Sequence, residues 1–330
     1  MRTVALIRFF LGKGGVGKTT TAAAYSINKA LQGKQVLVVS LDPAHNLGDV
    51  FEEELGDDPV KIMDNLVAIE VDYDKMIRKH LKDLTEKIKD IYGYLKIFNL
   101  DRYVDVLKHS PGIEEQASLE KIIEIIRKYG VGDKAFDIIV FDTPPTGLTL
   151  RIMALPTISL IWIERLIKLR LAILERRKTI SSITGEQFEV EITGKRLKVP
   201  ISVKEDPIFK ELTKLRDEYN WINQHLTDPH TTAAIMVINP ETLPVLEAYR
   251  AVEFLKRINV PVTHLIVNKI FELKTIPDQL RPKLEEQEKA LALAREKLPG
   301  LEVIMIPYLE KEPRGPDMLK KVAEYLSTIP

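Results

Sequence analysis

The residues from position 12 to position 20 have the spacing of a loop that binds phosphate groups. They read Gly-Lys-Gly-Gly-Val-Gly-Lys-Thr-Thr and follow an apolar run, residues 4–11. Glycines let successive backbone N–H groups turn towards phosphate oxygens, and a following helix adds the positive end of its dipole. Lys18 would neutralise the β- and γ-phosphates of ATP, and the Thr19 hydroxyl would bind Mg²⁺. The predicted nucleotide contacts from this loop are Gly12, Lys13, Gly14, Gly15, Val16, Gly17, Lys18, Thr19 and Thr20.

Two aspartates follow apolar runs further along the chain. Asp42 comes directly after residues 35–41, and Asp142 comes directly after residues 136–141. A carboxylate that faces a γ-phosphate can orient the attacking water, and one beside Mg²⁺ can hold its hydration shell. We therefore predict that Asp42 is catalytic and that Thr19, Asp42 and Asp142 form the metal site. The alternatives are a turn-capping aspartate before a proline for Asp42 and an acidic strand end for Asp142.

His45 and Gly147 lie in the segments that follow these aspartates. A histidine there could be a metal ligand or a base. No metal-ligand spacing surrounds His45, so we predict that it shapes the loop by hydrogen bonding. Gly147 is predicted to give its loop the freedom to respond to the γ-phosphate.

Short β-branched runs alternate with helical patterns along most of the chain. This alternation predicts an α/β protein with a mostly parallel, doubly wound sheet. The predicted strands are residues 4–11, 35–41, 66–71, 137–142, 232–239, 262–268 and 302–307. Polar residues at their carboxyl ends are Asp42, Asp142, Asn239 and Asn268. Because ligands bind at that edge of such sheets, we expect these side chains at one nucleotide site or its border.

Two segments, residues 74–115 and 151–228, break this alternation and predict a helical subdomain within a single P-loop domain of residues 1–330. Residues 155–174 are apolar on more than one face, so a helix there has to bury against something. Alternating apolar and polar residues over 187–203 predict a β-hairpin. In the first segment the apolar stripe of one helix is formed by Ile77, Leu81, Leu84, Ile88, Ile91, Leu95 and Phe98.

The composition of the chain limits the classes of protein to which it can belong. The chain has 330 residues, 45% of them hydrophobic, which is enough for a substantial core. Basic and acidic residues number 48 each, so the charge predicts no nucleic-acid partner. Cysteine is absent, which excludes disulfides and thiolate metal sites. The longest charge-free apolar stretch, residues 152–163, is shorter than the ~18–20 residues that span a bilayer, and the early first strand leaves no room for a signal peptide. We therefore expect a soluble cytoplasmic protein.

The loop contains a lysine besides Lys18, and this residue, Lys13, makes the loop resemble a more specific group of ATPases. Its place one residue after the first glycine resembles the deviant phosphate loop of the MinD/ParA/ArsA group of ATPases. In that group this lysine crosses a dimer interface to the partner's nucleotide. The resemblance therefore implies that Lys13 is catalytic in a homodimer. The alternative is a solvated surface lysine.

Further segments, over most of the chain, resemble the ArsA/GET family of ATPases. Its members include the ATPase subunit of arsenite pumps and the cytosolic targeting factor for tail-anchored membrane proteins. Residues 42–47 resemble the family's first switch, where the aspartate activates water, and residues 142–156 resemble its second switch. Residues 266–268 resemble the strand whose asparagine reads adenine, and residues 307–315 the loop that closes over the base. The resemblance thus implies nucleotide contacts from Asn268, Pro307 and Arg314.

The sequence departs from the family pattern in places that bear on function. It has no Cys-x-x-Cys pair, so zinc cannot bind through cysteines. Leu148 stands where the family usually has a histidine, and arsenite pumps bind metalloid through cysteines aided by such histidines. The hairpin predicted at 187–203 lies where members mostly have helix or mobile chain. One phosphate loop is present rather than the two of a fused pump ATPase.

The leading functional hypothesis is a homodimeric ATPase that acts as a mechanical switch. ATP would draw the subunits together, hydrolysis would let them part, and the apolar helices would form a groove for an apolar helical client. Transmembrane-type helices of tail-anchored proteins are such clients, with a membrane receptor or channel as a further partner. The same helices could instead be core or a permanent dimer seam. The alternative functions are an anion-pump motor and a MinD/ParA-like spatial organiser; neutral charge argues against DNA binding by the latter.

Overall fold

The computed structural model describes residues 4–44, 46–91, 110–132, 135–184, 189–192, 195–198, 200–272 and 280–330. His45, Leu95 and Phe98 lie outside these residues. The chain divides into two compact units. The first unit contains residues 1–76, 118–153 and 225–330, and the second contains residues 77–117 and 154–224.

The first unit is built on an eight-stranded sheet. Its strands are β1 (Leu6–Leu11), β2 (Val36–Ser40), β3 (Val60–Met63), β4 (Leu66–Glu70), β5 (Ile138–Asp142), β8 (Thr232–Ile238), β9 (Val262–Ile270) and β10 (Glu302–Pro307). Their spatial order is β10-β9-β8-β1-β5-β2-β4-β3, and every neighbouring pair is parallel except β3 and β4. The fold class predicted from the sequence, α/β with a mostly parallel sheet, is confirmed.

Helices complete both units. In the described residues they are α1 (Lys18–Leu31), α2 (Leu47–Phe51), α3 (Tyr73–Ile91), α4 (Ile113–Tyr129), α5 (Thr146–Thr184), α6 (Pro207–Thr227), α7 (Thr242–Arg257), α8 (Arg281–Lys297) and α9 (Gly315–Tyr325). α1 and α9 lie side by side, and Asn28 Nδ2 donates to the Ala323 carbonyl oxygen at 3.0 Å. All residues of β2, β5 and β8 are buried, as expected of central strands covered on both faces.

The sheet brings together the strand ends that the sequence analysis expected to carry the site. β1 lies between β8 and β5, and β2 lies on the other side of β5. The Phe9 and Phe141 rings of β1 and β5 stack with their centres 5.0 Å apart, which joins the two central strands on one face. Because these strands are parallel, their carboxyl ends open on the same edge of the sheet.

Strand β3 is the strand of this sheet that the sequence did not predict. It lies at the edge, its residues are partly exposed, and Lys61 interrupts its short apolar run. Edge strands are often short and charged because such features prevent pairing with other chains. A search for buried β-branched runs therefore passes over it.

The second unit contains a hairpin and parts of several helices. Strands β6 (Glu189–Ile192) and β7 (Lys195–Lys198) pair in an antiparallel manner within the range 187–203. Asp206, just before α6, is fully buried and accepts hydrogen bonds from the Arg170 guanidinium and from the backbone N–H of Phe209. This buried, bidentate pair fixes the start of α6 against α5.

Helix α5 begins earlier than the sequence predicted. It starts at Thr146, so Gly147 lies in its first turn and the prediction of a free loop at Gly147 is wrong. The first turn is held by the residues just before it, because the backbone N–H of Thr149 donates to the Pro145 carbonyl oxygen at 3.2 Å and the Thr149 hydroxyl donates to the Pro144 carbonyl oxygen at 2.7 Å. Pro156 is accommodated inside the same helix.

The apolar surface of α5 divides into a buried row and an exposed row. Ile163, Ile167 and Leu174 are buried. The exposed row lies on the opposite side of the helix and contains Ile158, Ile161, Trp162, Leu166 and Leu169. The expectation that such a helix buries against something is thus met within the chain on one side only.

Helix α5 also includes an 18-residue window with a mean hydropathy of 1.5 and at most two charged residues, 33% of it buried. By length and composition it could cross a membrane. The sequence did not predict this window, because the longest charge-free apolar stretch, residues 152–163, is shorter than a membrane span. One such helix is a weak indication of a membrane segment, since core helices of folded proteins have the same properties.

Candidate active site

The glycine-rich loop joins β1 to α1 at the carboxyl edge of the sheet. Gly15 and Gly17 have φ angles of 79° and 92°, a region that residues with a side chain rarely adopt. At Gly12 the constraint is space, because a Cβ there would lie 2.4 Å from the Val237 carbonyl oxygen of β8. The loop therefore packs closely on β8.

A cavity of about 720 Å³ opens in front of this loop, a size typical of small-molecule sites. It is lined by the predicted site residues Gly14, Gly15, Gly17, Lys18, Thr19, Thr20, Asp42, Asn268, Pro307 and Arg314. The predicted residues that do not line it are Gly12, Lys13, Val16 and Asp142. Asn239, expected at the site or its border, does not line it either. All lining residues belong to the first unit.

Lys18 begins α1 and its side chain is 5% exposed. Its amine donates to the Lys13 carbonyl oxygen at 3.4 Å and lies 3.8 Å from Asp42 Oδ2. A buried ammonium is stable only where acceptors or opposite charges surround it. This cation is therefore already placed at the cavity wall, where phosphate oxygens would be stronger partners.

Asp142 is fully buried behind the cavity wall. Its Oδ2 accepts hydrogen bonds from the hydroxyls of Thr19 at 2.8 Å and Ser40 at 3.4 Å. Burial raises the pKa of the Asp142 carboxyl to about 7, and the Thr19 hydrogen bond and the charge of Lys18 only partly offset this. Oδ1, also buried, has no hydrogen-bond partner among the described residues. An orphaned carboxylate oxygen beside a phosphate loop calls for a missing partner.

Hydrated Mg²⁺ fits this arrangement. Asp142 Oδ1 can accept a hydrogen bond from a metal-bound water, and the Thr19 hydroxyl, by donating to Asp142, keeps its oxygen lone pairs available for a cation. Mg²⁺ usually retains waters and uses few protein ligands. Accordingly, in the part of the chain that the structure describes, no group of three or more His, Asp or Glu residues could hold a metal alone.

Asp42 follows β2 and reaches the cavity directly. β2 and β5 pair with Ser40 opposite Asp142, which brings the two aspartates to one edge. The backbone N–H of Ala44 donates to Asp42 Oδ1 at 3.1 Å, so the carboxylate is held in place. Its Oδ2 lies on the side of the Lys18 amine. A fixed carboxylate at the wall of the cavity can accept a hydrogen bond from a water molecule.

Lys13 points away from the cavity of its own chain. Its amine pairs with Glu247 Oε1 of α7 at 3.4 Å, and the two side chains are 61% and 41% exposed. An exposed pair of this kind contributes at most about 1 kcal/mol to stability. The amine can therefore exchange Glu247 for a stronger anionic partner at small energetic cost.

One end of the cavity, in contact with the phosphate loop, is formed by the end of β9 and the segment after β10. Asn268 Nδ2 donates to the Val16 carbonyl oxygen at 2.8 Å, and its Oδ1 accepts the N–H of Lys269 at 2.9 Å. The amide keeps a second N–H and a second lone pair. Pro307 lines the same end, and Arg314 donates to Glu312 at 2.8 and 3.0 Å.

Sequence reasoning did not identify Ser40, Lys269 or Tyr308. Ser40 holds Asp142, Lys269 donates to the Gly15 carbonyl oxygen at 3.0 Å, and Tyr308 lines the cavity. The Tyr308 ring stacks on Phe271 with the ring centres 5.2 Å apart. Each of the missed residues lies within two positions of a predicted one, at a strand's carboxyl end. That proximity is the signal that could have found them.

The fold and the site together define a P-loop nucleoside triphosphatase, because the glycine-rich loop, its lysine and its threonine stand between the first strand and the first helix of a parallel sheet. A family model described as anion-transporting ATPase, the ArsA ATPase family, matches residues 5–328. The chain therefore belongs to the ArsA family of ATPases and is an ATP hydrolase.

Several named ATPases are similar to this chain over nearly its whole length. The ATPase ASNA1 homolog 2 of Paramecium tetraurelia is 29% identical over 98% of this chain and 94% of the relative. The ATPase get3 of Pyrenophora tritici-repentis is 29% identical over 96% of this chain and 90% of the relative. The putative arsenical pump-driving ATPase 2 of Aquifex aeolicus is 30% identical over 96% of this chain and 98% of the relative.

Proposed function

We propose that the protein is a homodimeric, Mg²⁺-dependent ATPase whose ATP-driven closing and opening controls the binding of an apolar helical client. The client class that fits best is the transmembrane helix of a tail-anchored membrane protein, delivered in the cytoplasm to a membrane receptor or channel. Support comes from the family membership, from the relatives named ASNA1 and get3, and from the surface of α5.

The exposed row of α5 is the observation that carries this proposal. Ile161 and Trp162 are 51% and 60% exposed, and Leu169 is 58% exposed. Large contiguous apolar surfaces usually mark a site that another molecule covers. An apolar helix matches such a surface by helix-in-groove packing, with contacts at every third or fourth residue.

The proposed ATP hydrolysis is divided among the residues of the cavity. Loop N–H groups and Lys18 bind the β- and γ-phosphates, and Thr19 and Asp142 would hold a hydrated Mg²⁺ beside them. Mg²⁺, when bound, would neutralise charge that builds up between the two phosphates. Asp42 holds the attacking water in line with the γ-phosphate and accepts its hydrogen bond. Asn268, Pro307 and Arg314 hold the base end of the nucleotide.

Lys13 completes the site of the partner subunit in this proposal. Its amine does not reach the local cavity, and its pairing with Glu247 is weak enough to exchange. In a closed dimer it would stabilise charge on the transferring phosphate, as an arginine finger does. Hydrolysis would then depend on subunit contact, and loss of the γ-phosphate would release that contact.

An anion-pump motor is the second candidate, favoured by the relatives named arsenical pump-driving ATPases. The chain has no cysteine to hold a metalloid. A pump of this kind would therefore carry an anion that needs no thiolate ligand.

A photoreactive amino acid on α5 tests the two candidates in native lysate. It would replace Trp162 on the exposed row, with Glu164, an exposed position outside that row, as the matched control. We expect crosslinks from position 162, with ATP present, to proteins that carry one hydrophobic helix at the carboxyl end. Leu169→Asp should abolish the capture without loss of ATPase activity.

Equal crosslinking from positions 162 and 164 would contradict client binding by the exposed row. Capture of a polytopic channel instead of single helices would favour the pump. Capture that continues after Leu169→Asp would also contradict the proposed surface.

A further inference from the structure

We propose that Lys269 is a further cation of the nucleotide site and binds the polyphosphate of ATP. The proposal rests on the assignment of the cavity as the site of ATP. It adds a residue outside the phosphate loop to the set that holds the substrate. The observations that carry it are the conformation of Lys269, the position of its amine, and the charges around it.

Lys269 lies near the end of β9 with a φ angle of 62°, in the left-handed region. A lysine gains nothing locally from this conformation, which costs energy for any residue with a Cβ. Such conformations persist where the surrounding structure enforces them, and they are concentrated at functional sites. Here Lys269 lies in a bulge of β9, because Val267 pairs with Met305 and Ile270 with Pro307, and its N–H donates to Asn268 Oδ1 at 2.9 Å.

The amine of Lys269 consequently lies over the phosphate loop. Its Nζ donates to the Gly15 carbonyl oxygen at 3.0 Å, and the residue lines the cavity with Lys18 and Thr19. An ammonium has three N–H donors, and this carbonyl uses one of them. Lys18 has a similar arrangement, because its amine also donates to a carbonyl oxygen of the loop, that of Lys13.

The charges nearby leave Lys269 available for an anion. Lys18 faces Asp42, and Arg314 pairs with Glu312. Among the described residues Lys269 has no carboxylate partner, and a neutral carbonyl compensates its charge only in part. A phosphate oxygen would form a charge-assisted hydrogen bond, which is roughly twice as strong as a neutral one.

The test compares Lys269→Asn with Lys269→Arg in the full chain. Asparagine tolerates the left-handed conformation but carries no charge, whereas arginine keeps the charge. Lys256→Asn, on α7 and outside the cavity, is the matched control. Calorimetry would measure the Kd for ATP and, by competition, for adenosine. Thermal unfolding without ligand would report on the fold.

We expect Lys269→Asn to weaken ATP binding about tenfold, or ~1.4 kcal/mol, with adenosine affinity and the melting temperature unchanged. Lys269→Arg and Lys256→Asn should stay within about twofold of the wild type for ATP. If Lys269→Asn does not fold, Lys269→Gly, which adopts the same φ freely, should show the same loss for ATP.

An unchanged Kd for ATP in Lys269→Asn would overturn the proposal. An equal loss of affinity for adenosine would also overturn it, because either result would mean that Lys269 only supports the conformation of the loop. Lys18→Ala separates this failure from failure of the site itself. If Lys18→Ala loses ATP binding while Lys269→Asn does not, only the role of Lys269 is wrong. If Lys18→Ala binds ATP normally, the cavity is not the nucleotide site.

Discussion

Asp42 and Asp142 carry the same chemical group in different surroundings, and the roles proposed for them follow from that difference. Asp142 is fully buried, is held by two hydroxyls, and does not line the cavity. Asp42 lines the cavity and is fixed by one backbone N–H. We therefore propose that Asp42 contacts the water molecule that approaches the γ-phosphate, and that Asp142 would act through Thr19 and a water of a bound Mg²⁺.

At the residue scale we predict that Asp42→Asn binds ATP but hydrolyses it at least ~10²-fold more slowly, since a general base typically contributes 10²–10⁴-fold. Nucleotide binding should persist because the loop and Lys18 are unchanged. Equilibrium binding of ATP and single-turnover phosphate release measure the two effects separately.

Asp317→Asn is the control for this prediction. That carboxylate is exposed on α9 and pairs with Lys320, outside the cavity. Turnover near the wild-type rate in Asp42→Asn would show that another group positions the water. Loss of ATP binding would show that Asp42 instead maintains the cavity.

At the scale of elements, the close packing of the loop on β8 predicts that two of its glycines, Gly12 and Gly14, differ in their tolerance of a side chain. A Cβ at Gly12 would lie 2.4 Å from the Val237 carbonyl oxygen, whereas at Gly14 it would meet nothing within 4 Å. We predict that Gly12→Ala lowers the free energy of unfolding by about 1–3 kcal/mol, the cost typical of overpacking. Gly14→Ala should change it by less than about 0.5 kcal/mol.

Urea unfolding of the apo protein measures this difference. Equal stabilities for the two variants would mean that the loop does not pack on β8 as described. A large loss in Gly14→Ala alone would contradict the open space in front of that residue.

The elements also show what the sequence could and could not predict. Central strands such as β2 and β5 were predicted because full burial demands unbroken apolar runs. Edge strand β3 was missed because a partly exposed strand has no unbroken apolar run, and the early start of α5 was missed because two prolines and a glycine are typical of a loop. Lys18, Thr19 and Asp42 follow from a motif with fixed spacing. Lys269 is next to the predicted Asn268, and its φ angle of 62° and the hydrogen bond of its amine to Gly15 are visible only in the structure.

At the scale of the whole molecule, the proposed hydrolysis depends on contact between two copies of the chain. Lys13 is exposed and pairs with Glu247 on the surface of its own chain. Its amine does not line the cavity of that chain. A lysine that serves only its own chain would be expected to line that cavity. Two copies that exchange this residue would form a closed pair with the same contact on both sides.

Mixed dimers test this claim most directly. Lys13→Ala and Asp42→Asn subunits with different affinity tags would be co-expressed, and the heterodimer isolated through both tags. If Lys13 acts across the interface, the Lys13→Ala subunit keeps Asp42 and receives an intact Lys13 from its partner. We therefore predict about half of the wild-type turnover per dimer, although each variant homodimer is nearly inactive. Heterodimers as inactive as the homodimers would contradict the account, because each lysine would then serve only its own chain.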